Sequence, residues 1–540
     1  MPFLLCLDLG TSAAKAALLD LDGTVHHRAD AAYPTRREAD GTAEQDPRDW
    51  ERAARTVLRA LLEEVPAGEV LALALTGQMQ DLVPVPAQGA PRAAILYSDT
   101  RAGAEAEELR RALAATGTSW DQLSGNLQDA TSCAAMHLRL RRAEPERLAG
   151  LEGLVFGPAG HLVARMGLGL WCDPTTAAAT GLLDARTRDW SVDVASAAGI
   201  DPVLLPALTR TAGQVVGRTG EQAAALLDLP TDLPVVLAPG DAGATTCGIV
   251  GLSPGDTYAY LGTSGWLATV LPAAPTGEVS GSSHHLALGG RARAGTAAPT
   301  STGSPTSTEA ALGAGARTGA EAPVLRISAL LAAGAAADWA RTAFLDGAGT
   351  ARADELLTAR EQERGRGPTG LLALPSILGE RFPVRDAQLR GAVVGIGPGT
   401  RGIDLYAAML EGVAHGLAHG LEDGPEHGDP GPATGRPAAV GAPRPLPVTG
   451  GGAASPPWLR ILADVTGHPV RTVDGADAAL LGCALVAADA LGLDHSLTPL
   501  GARASSATIA PDPSAVAAHA ALRPAHRALY DAAAQVRRTR

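Results

Sequence analysis

Short apolar runs broken by tight, glycine-bearing turns dominate the first eighty residues. The segments FLLCLDLG, AAKAALLDL and TVHHRADAAY each have the length of a strand and read together as a three-strand meander. The pattern then changes period. In DPRDWERAARTVLRALLEEV, Trp50, Ala54, Val57, Leu58, Leu61 and Leu62 share one helical face, and Asp46-Pro47 is a helix start signal. LALALTG follows as a short buried strand. The order strand, strand, strand, helix, strand predicts an α/β lobe with a mixed sheet. Further along, VVLAPGDAGATTCGIVG reads as a buried strand, a glycine-rich turn and a helix start. A similar unit returns as LPVTGGGAASPPWLRILADVTG. This duplication predicts two related lobes, residues 1–250 and 251–540, with the boundary near Gly251.

A second duplication sharpens the first. Leu-Gly-Thr-Ser occurs at Gly10, Thr11 and Ser12 and again at Gly262, Thr263 and Ser264, each time between two apolar strands. Glycine lets a ligand approach the backbone, and the hydroxyls and amide N–H groups of such a turn can converge on an oxyanion. Two such turns on related lobes fit a polyphosphate held from both sides. A single copy would mark no more than a hairpin.

Composition narrows the class. The net charge of −13 argues against nucleic acid or an acidic membrane as partner. No apolar run reaches the length of a membrane span, and Met1 leads almost at once into a strand without a basic leader. The five scattered cysteines show no Cys-x-x-Cys spacing, so neither a disulfide framework nor a zinc site is expected, and a reduced cytoplasmic setting fits. Lys15 is the sole lysine in an arginine-rich chain. Residues 272–325 and 423–445 are rich in Gly, Ala, Ser, Thr and Pro and read as flexible surface insertions.

Several polar residues sit where chemistry is placed in α/β sheets. Asp8 ends the first strand, two residues before the first turn, where it could hold Mg²⁺; it could equally form an Asx turn. Asp241 closes the strand VVLAPG among glycines. It reads evenly as a base for phosphoryl transfer and as a helix N-cap. Gln78, Met79, Gln80 and Asp81 follow LALALTG, and Asp99 and Arg101 follow ILYS; such side chains can bind sugar hydroxyls or merely form turns and ion pairs. Gly450, Gly451, Gly452 and Ala453 follow a strand and open a helix, so backbone could lie flat against a base or ribose phosphate. There is no Gly-x-Gly-x-x-Gly strand–helix fingerprint and no Gly-x-x-x-x-Gly-Lys-Ser/Thr loop. VVGIGPGTRG reads as a loop without a following helix, and His284-His285 as a solvated loop pair.

Taken in order, these segments resemble the FGGY family of carbohydrate kinases over nearly the whole chain outside the two insertions. Asp8 to Lys15 is similar to the first phosphate motif. Thr76-Gly77-Gln78-Met79 and ILYSDTRA resemble sugar-contact segments, and WCDPTTAAATG opens another family segment. Asp241 falls on the catalytic aspartate. Gly262-Thr263-Ser264 matches the second phosphate motif, and LPSILGERFP, Leu410-Glu411-Gly412-Val413 and Thr449 to Gly452 complete the series. The resemblance implies a two-lobe, actin-like and hexokinase-like fold with a duplicated RNase H-like core. It implies ATP with Mg²⁺ as cofactors, Asp8 on the metal, and phosphates on Gly10, Thr11, Ser12, Lys15, Gly262, Thr263 and Ser264. Adenosine would lie at Gly450–Ala453, with Asp241 taking the proton of the sugar hydroxyl. The best fit within the family is to kinases of ketopentoses, xylulose first, and a homodimer is expected by analogy. The chain departs from that pattern at Gln80, Asp81, Tyr97 and Ala242, which leaves ribulose, a sugar acid or a glycerol-like polyol as alternatives. A nucleotide-dependent regulatory protein on the same fold is a further alternative.

Overall fold

The computed structural model describes residues 1–275, 279, 281–290, 322–422, 444–503 and 507–538. Its frame is two sheets of matching topology. In the first, β1 (Phe3–Leu9), β2 (Ala13–Asp20) and β3 (Val25–Ala32) form an antiparallel meander. Next to β1 lies β4 (Val70–Gly77), parallel to it, with β6 (Pro234–Leu237) parallel to β4 and β5 (Gln214–Arg218) antiparallel at the edge. In the second, β7 (Thr257–Leu261), β8 (Gly265–Leu271) and β10 (Val324–Leu330) repeat the meander. Then β11 (Leu446–Thr449) runs parallel to β7, β12 (Val470–Thr472) parallel to β11, and β13 (Thr508–Ile509) antiparallel at the edge. Strand β9 (Ser283–Ala287) extends the second sheet beyond β10.

The alternation that predicted β1 to β3 is borne out, as is the first helix. In α1 (Pro47–Leu62) the Asp46 side chain accepts from the Arg48 N–H, which caps the start. Its buried stripe, Trp50, Ala54, Val57, Leu58 and Leu61, packs on β2 and β3. Each sheet also carries a helix on its inner side, α2 (Asp241–Ile249) after β6 and α5 (Ala478–Leu491) after β12. These two helices lie against each other. A Cβ on Gly248 would stand 1.8 Å from the Ala478 carbonyl oxygen, and one on Gly482 1.9 Å from that of Ala244. The backbones therefore touch, which only glycine permits. Through α5, Leu480, Leu481, Cys483, Ala484 and Ala487 enter a core with Leu4, Cys6, Leu19 and Ala74 of the first sheet.

Three readings of the sequence are corrected. His284 and His285 lie in β9, half-buried, because β9 pairs residue by residue with β10. The 272–325 stretch thus contains a strand; its residues 291–321, and 423–443 of the other stretch, lie outside the described residues. After VVGIGPGTRG comes a long helix, α3 (Gly402–Glu422), buried over nearly its whole length. Its glycines, alanines and histidines conceal the period. Lastly, Gly451–Ala454 forms a single 3₁₀ turn, and α4 (Pro456–Thr466) starts only after it, capped by Ser455. None of the five cysteines forms a disulfide, and all five are buried. Among the described residues no helix is long and apolar enough to cross a membrane.

Candidate functional site

Parallel strands β1, β4 and β6 end side by side, and the crevice beyond the carboxyl ends of such strands is where an open α/β sheet binds ligands. Asp8, Thr76 and Asp241 leave the sheet here, with Asp8 in register with Thr76 and, on the other side, with Lys15. Thr76 Oγ1 donates to the Pro239 carbonyl at 2.5 Å, and the Gln78 N–H donates to the Leu9 carbonyl at 2.9 Å. The first turn, the segment 76–81 and the start of α2 are thereby fastened to one another.

Both Leu-Gly-Thr-Ser turns have their carbonyls occupied from the protein side. The Gly10 carbonyl accepts from the Tyr33 hydroxyl, Thr11 from Gln45 Nε2 at 2.8 Å, and Ser12 from the Tyr33 N–H at 3.0 Å. In the second turn the Gly262 carbonyl accepts from the Gly334 N–H at 2.7 Å, and Thr263 from Ala333 and Ala335, each at 3.0 Å. Ser12 and Thr263 are exposed, and Thr11 is half-buried with its Oγ1 3.4 Å from the Tyr97 hydroxyl. Gly450, at a φ of 95°, lies against this second turn; a Cβ there would meet the Leu261 carbonyl oxygen at 2.6 Å. Nothing crowds Gly451. Gly450 to Ala453 and Gly262 to Ser264 are thus neighbours.

Three carboxylates carry the electrostatics. Asp241 heads α2, and its Oδ1 accepts from the Ala242 N–H at 2.7 Å. Burial, then the negative charge of Asp8, raises its pKa to about 7. The Asp8 pKa is raised to about 6 by burial, against the pull of Lys15, and its Oδ1 is buried without a partner. Asp81 is wholly buried. Its Oδ1 accepts from the Tyr97 N–H at 3.1 Å, its Oδ2 has no partner, and burial holds its carboxyl far above the ordinary carboxylate range. An orphaned buried oxygen on Asp8, two residues from the first Leu-Gly-Thr-Ser turn, fits a cation carried with phosphate.

The remaining residues singled out in the sequence divide. Met79 packs against the catalytic-side turn, since its Sδ stands 2.3 Å from where a Gly240 Cβ would be. Gln78 Nε2 donates to Gln45 Oε1 at 2.9 Å, leaving Gln78 Oε1 buried and unpartnered. Gln80 adopts φ 65° and its Nε2 donates to the Thr131 carbonyl at 2.7 Å. Asp99 and Arg101 bind each other at 2.7 Å; Arg101 also reaches Glu44 at 2.8 Å, and Asp99 Oδ2 accepts from the Ala43 N–H. This pair fastens the 43–45 strand to the 97–101 loop. Sequence reasoning missed Gln45, which joins the first turn, Gln78 and the Trp50 indole in one set of hydrogen bonds. It also assigned no role to Asp173, whose Oδ1 accepts from the Gly240 N–H 67 positions away. Neither contact has a local signature.

The comparisons with known proteins point the same way. Residues 3–248 match the N-terminal domain, and residues 294–491 the C-terminal domain, of the FGGY family of carbohydrate kinases. The chain is 24% identical to a xylulose kinase of Staphylococcus xylosus, covering 90% of this chain and 91% of that protein. It is 28% identical to a xylulose kinase of Escherichia coli K12, covering 92% and 91%. The crystal structure of a xyloylose kinase from Brucella ovis superposes with a TM-score of 0.78 at 25% identity, covering 99% of this chain and all of that one.

Proposed function

The chain belongs to the FGGY family of carbohydrate kinases, and from that premise we propose that it phosphorylates a ketopentose, xylulose first, with Asp241 as general base. The observation that carries this reading is Asp241 itself, a half-buried carboxyl at the head of a helix and at the end of the parallel strands, with its pKa raised to about 7. An ordinary aspartate is too weak a base to take a proton from a sugar hydroxyl. One poised near the working pH is matched to the task. Asp241 would accept the hydroxyl proton as the sugar oxygen bonds to the γ-phosphorus and the bond from that phosphorus to the bridging oxygen breaks, releasing ADP, and the proton would stay on Asp241 until solvent removes it.

ATP with Mg²⁺, when bound, supplies the phosphoryl group and screens its charge. Asp8 would hold the cation. Among the described residues no cluster of three metal-ligating side chains occurs, so the other ligands would be phosphate oxygens and water, as is usual for Mg²⁺. The turns at Gly10, Thr11 and Ser12 and at Gly262, Thr263 and Ser264 would orient the phosphates. Gly450 to Ala453, beside the second turn, would flank the adenosine. Gln78, Met79, Gln80 and Asp81 border the sugar side. The family's usual Gln-Met-His-Gly is Gln-Met-Gln-Asp here, and Gln80 is already tied to Thr131. That engagement supports a second substrate, such as ribulose or a glycerol-like polyol, as the alternative.

ADP release with Mg-ATP across D-xylulose, L-xylulose, D-ribulose, L-ribulose, gluconate, glycerol and no sugar tests the substrate. Asp241→Ala tests the base, and a loss of about 100-fold or more in kcat is expected. Near-parental turnover by that variant would sink the assignment.

A further inference from the structure

Asp173 stands outside the substrate-facing set, yet it reaches the residue next to the base. It caps the helix Pro174–Ala179, and its Oδ1 accepts three backbone N–H groups, from Thr175 at 2.9 Å, Thr176 at 3.0 Å and Gly240 at 2.9 Å. The side chain is buried. Gly240 is the N-cap of α2, and its carbonyl accepts from Gly243 at 2.8 Å and Ala244 at 3.0 Å. Its own N–H has no place inside the helix and is satisfied by Asp173 instead. On the preceding residue, Thr76 holds the Pro239 carbonyl. Around Gly240 itself, Met79 Sδ and Thr176 Oγ1 leave no space for a Cβ, at 2.3 and 2.7 Å. Both polar groups of the Pro239–Gly240 peptide, one peptide before Asp241, are thus held, and so is the Gly240 carbonyl.

The anchor has a second attachment. Thr175 Oγ1 donates to the Ala287 carbonyl in β9 at 3.0 Å, so the short helix headed by Asp173 is also bonded to the second sheet. One carboxylate therefore sets the start of α2 relative to both lobes.

We propose that Asp173 is a positioning residue for phosphoryl transfer, holding the Gly240 N–H so that the Asp241 carboxylate faces the reacting hydroxyl. This rests on the reading of Asp241 as the base. Asp173 acts on that base in two ways, by geometry and by charge. Its negative charge is one of the influences that raise the Asp241 pKa, after burial and Asp8.

The two actions separate in two variants. Asp173→Asn keeps an acceptor oxygen for the three N–H groups and removes the charge. It should fold with a melting temperature near that of the parent. The acid limb of its kcat–pH profile should move to lower pH. Asp173→Ala removes the acceptor as well. Its kcat should fall about 10- to 100-fold with KM for ATP unchanged, as misplacement of a reacting group predicts. If Asp173→Ala does not fold, Asp173→Ser, which keeps a helix-capping oxygen but is too short to hold Gly240 as well, carries the same kcat test. The proposal is overturned if Asp173→Ala keeps the parental kcat, or if activity is lost only in proportion to the unfolded fraction. Asp241→Asn, run in parallel, separates the two readings. If it stays active, the base assignment falls and Asp173 with it. If it is inactive while both Asp173 variants behave as the parent, only the role of Asp173 falls.

Discussion

Four histidines packed into one helix seam should take stability from the fold as pH falls, against the buried-site carboxyls of Asp8, Asp81 and Asp241, whose raised pKa values act the other way. Helix α3 contributes His415 and His419, and α6 (Pro513–Arg538) contributes His519 and His526. All four are buried. The His526 ring stacks on His415 at 4.9 Å and on His419 at 5.3 Å, and His519 lies 5.4 Å from His415. Their hydrogen bonds assign the tautomers. His526 Nε2 lies 3.1 Å from the Ala373 carbonyl and must donate to it. His526 Nδ1 is then the acceptor, and His419 Nε2, 3.1 Å away, is its donor. Protonating His526 would set two N–H groups against each other. Arg523 and Arg527 add positive charge from α6, and Tyr530 closes one end. Glu422, paired with Arg523 and 4.0 Å from His419 Nδ1, offsets this in part. Burial, then neighbouring imidazoles and arginines, lowers the pKa values to about 2 for His415 and 3 for His419; burial, then Arg523, lowers His519 to about 4, and burial lowers His526 to about 4 against the Ala373 hydrogen bond.

The sign follows from linkage. An unfolded histidine titrates near 6.5, so below that pH the unfolded chain binds more protons and stability falls as pH falls. The stability is intact above about pH 7.5 and declines through 6.5 toward the folded pKa values. At pH 5.5 each buried neutral histidine costs about 1.4 kcal/mol, so the four together cost on the order of 5 kcal/mol relative to pH 7.5. That is comparable with the whole stability of many domains. His415 and His519 have Nδ1 atoms without partners, so His415→Leu with His519→Leu removes half of the effect without breaking the bonded pair. Urea unfolding at pH 7.5, 6.5 and 5.5 should show a smaller loss for the double variant than for the parent. Equal losses in the two proteins would refute the reasoning. So would ring-proton NMR signals of these histidines titrating near 6.5.

Two further outcomes are expected. Gly482→Ala drives a methyl group into the Ala244 backbone and must push α5 from α2, costing about 1–3 kcal/mol or more; because Asp241 heads α2, kcat should fall along with the melting temperature. Arg101→Ala leaves the buried Asp99 without its ion-pair partner, whereas Glu44 keeps Arg36 and Arg147, a loss of about 3 kcal/mol. Calorimetry should detect it, whereas a rise in sugar KM without loss of stability would show that Arg101 serves the substrate instead.

Much of the frame was legible because it is written locally. The meander, α1 and both Leu-Gly-Thr-Ser hairpins rest on alternation, a cap and a glycine turn, each confined to a few neighbours. The failures share a cause too. Strand β9 lies within a stretch of composition typical of loops, and only its pairing with β10, some forty positions on, makes it a strand. Helix α3 is buried all round, so it has no polar face to reveal its period. His415 and His419, four apart, and His519 and His526, seven apart, do mark single helix faces, but their meeting depends on how the helices pack. Gln45, Asp173 and the contact of Gly248 with Ala478 are likewise products of tertiary placement.

The duplicated sheets pose a sharper question, because only one copy carries the candidate base. Helices α2 and α5 follow equivalent strands and meet at their glycines, so their starts occupy related places. At a helix N-terminus the backbone dipole favours a carboxylate and lowers its pKa, typically by less than about 1 kcal/mol at exposed ends. The Ala242 N–H acts in the same direction on Asp241. Yet Asp241 is raised to about 7, so burial and the Asp8 charge outweigh both. The opposite balance holds at Asp46, which caps α1 near the surface beside Arg48 and lies below the ordinary aspartate range. Position at a helix start therefore does not make an aspartate a base. What distinguishes Asp241 is burial first, and then a second carboxylate, Asp8, delivered to the same crevice by the parallel pairing of β1 with β4 and of β4 with β6.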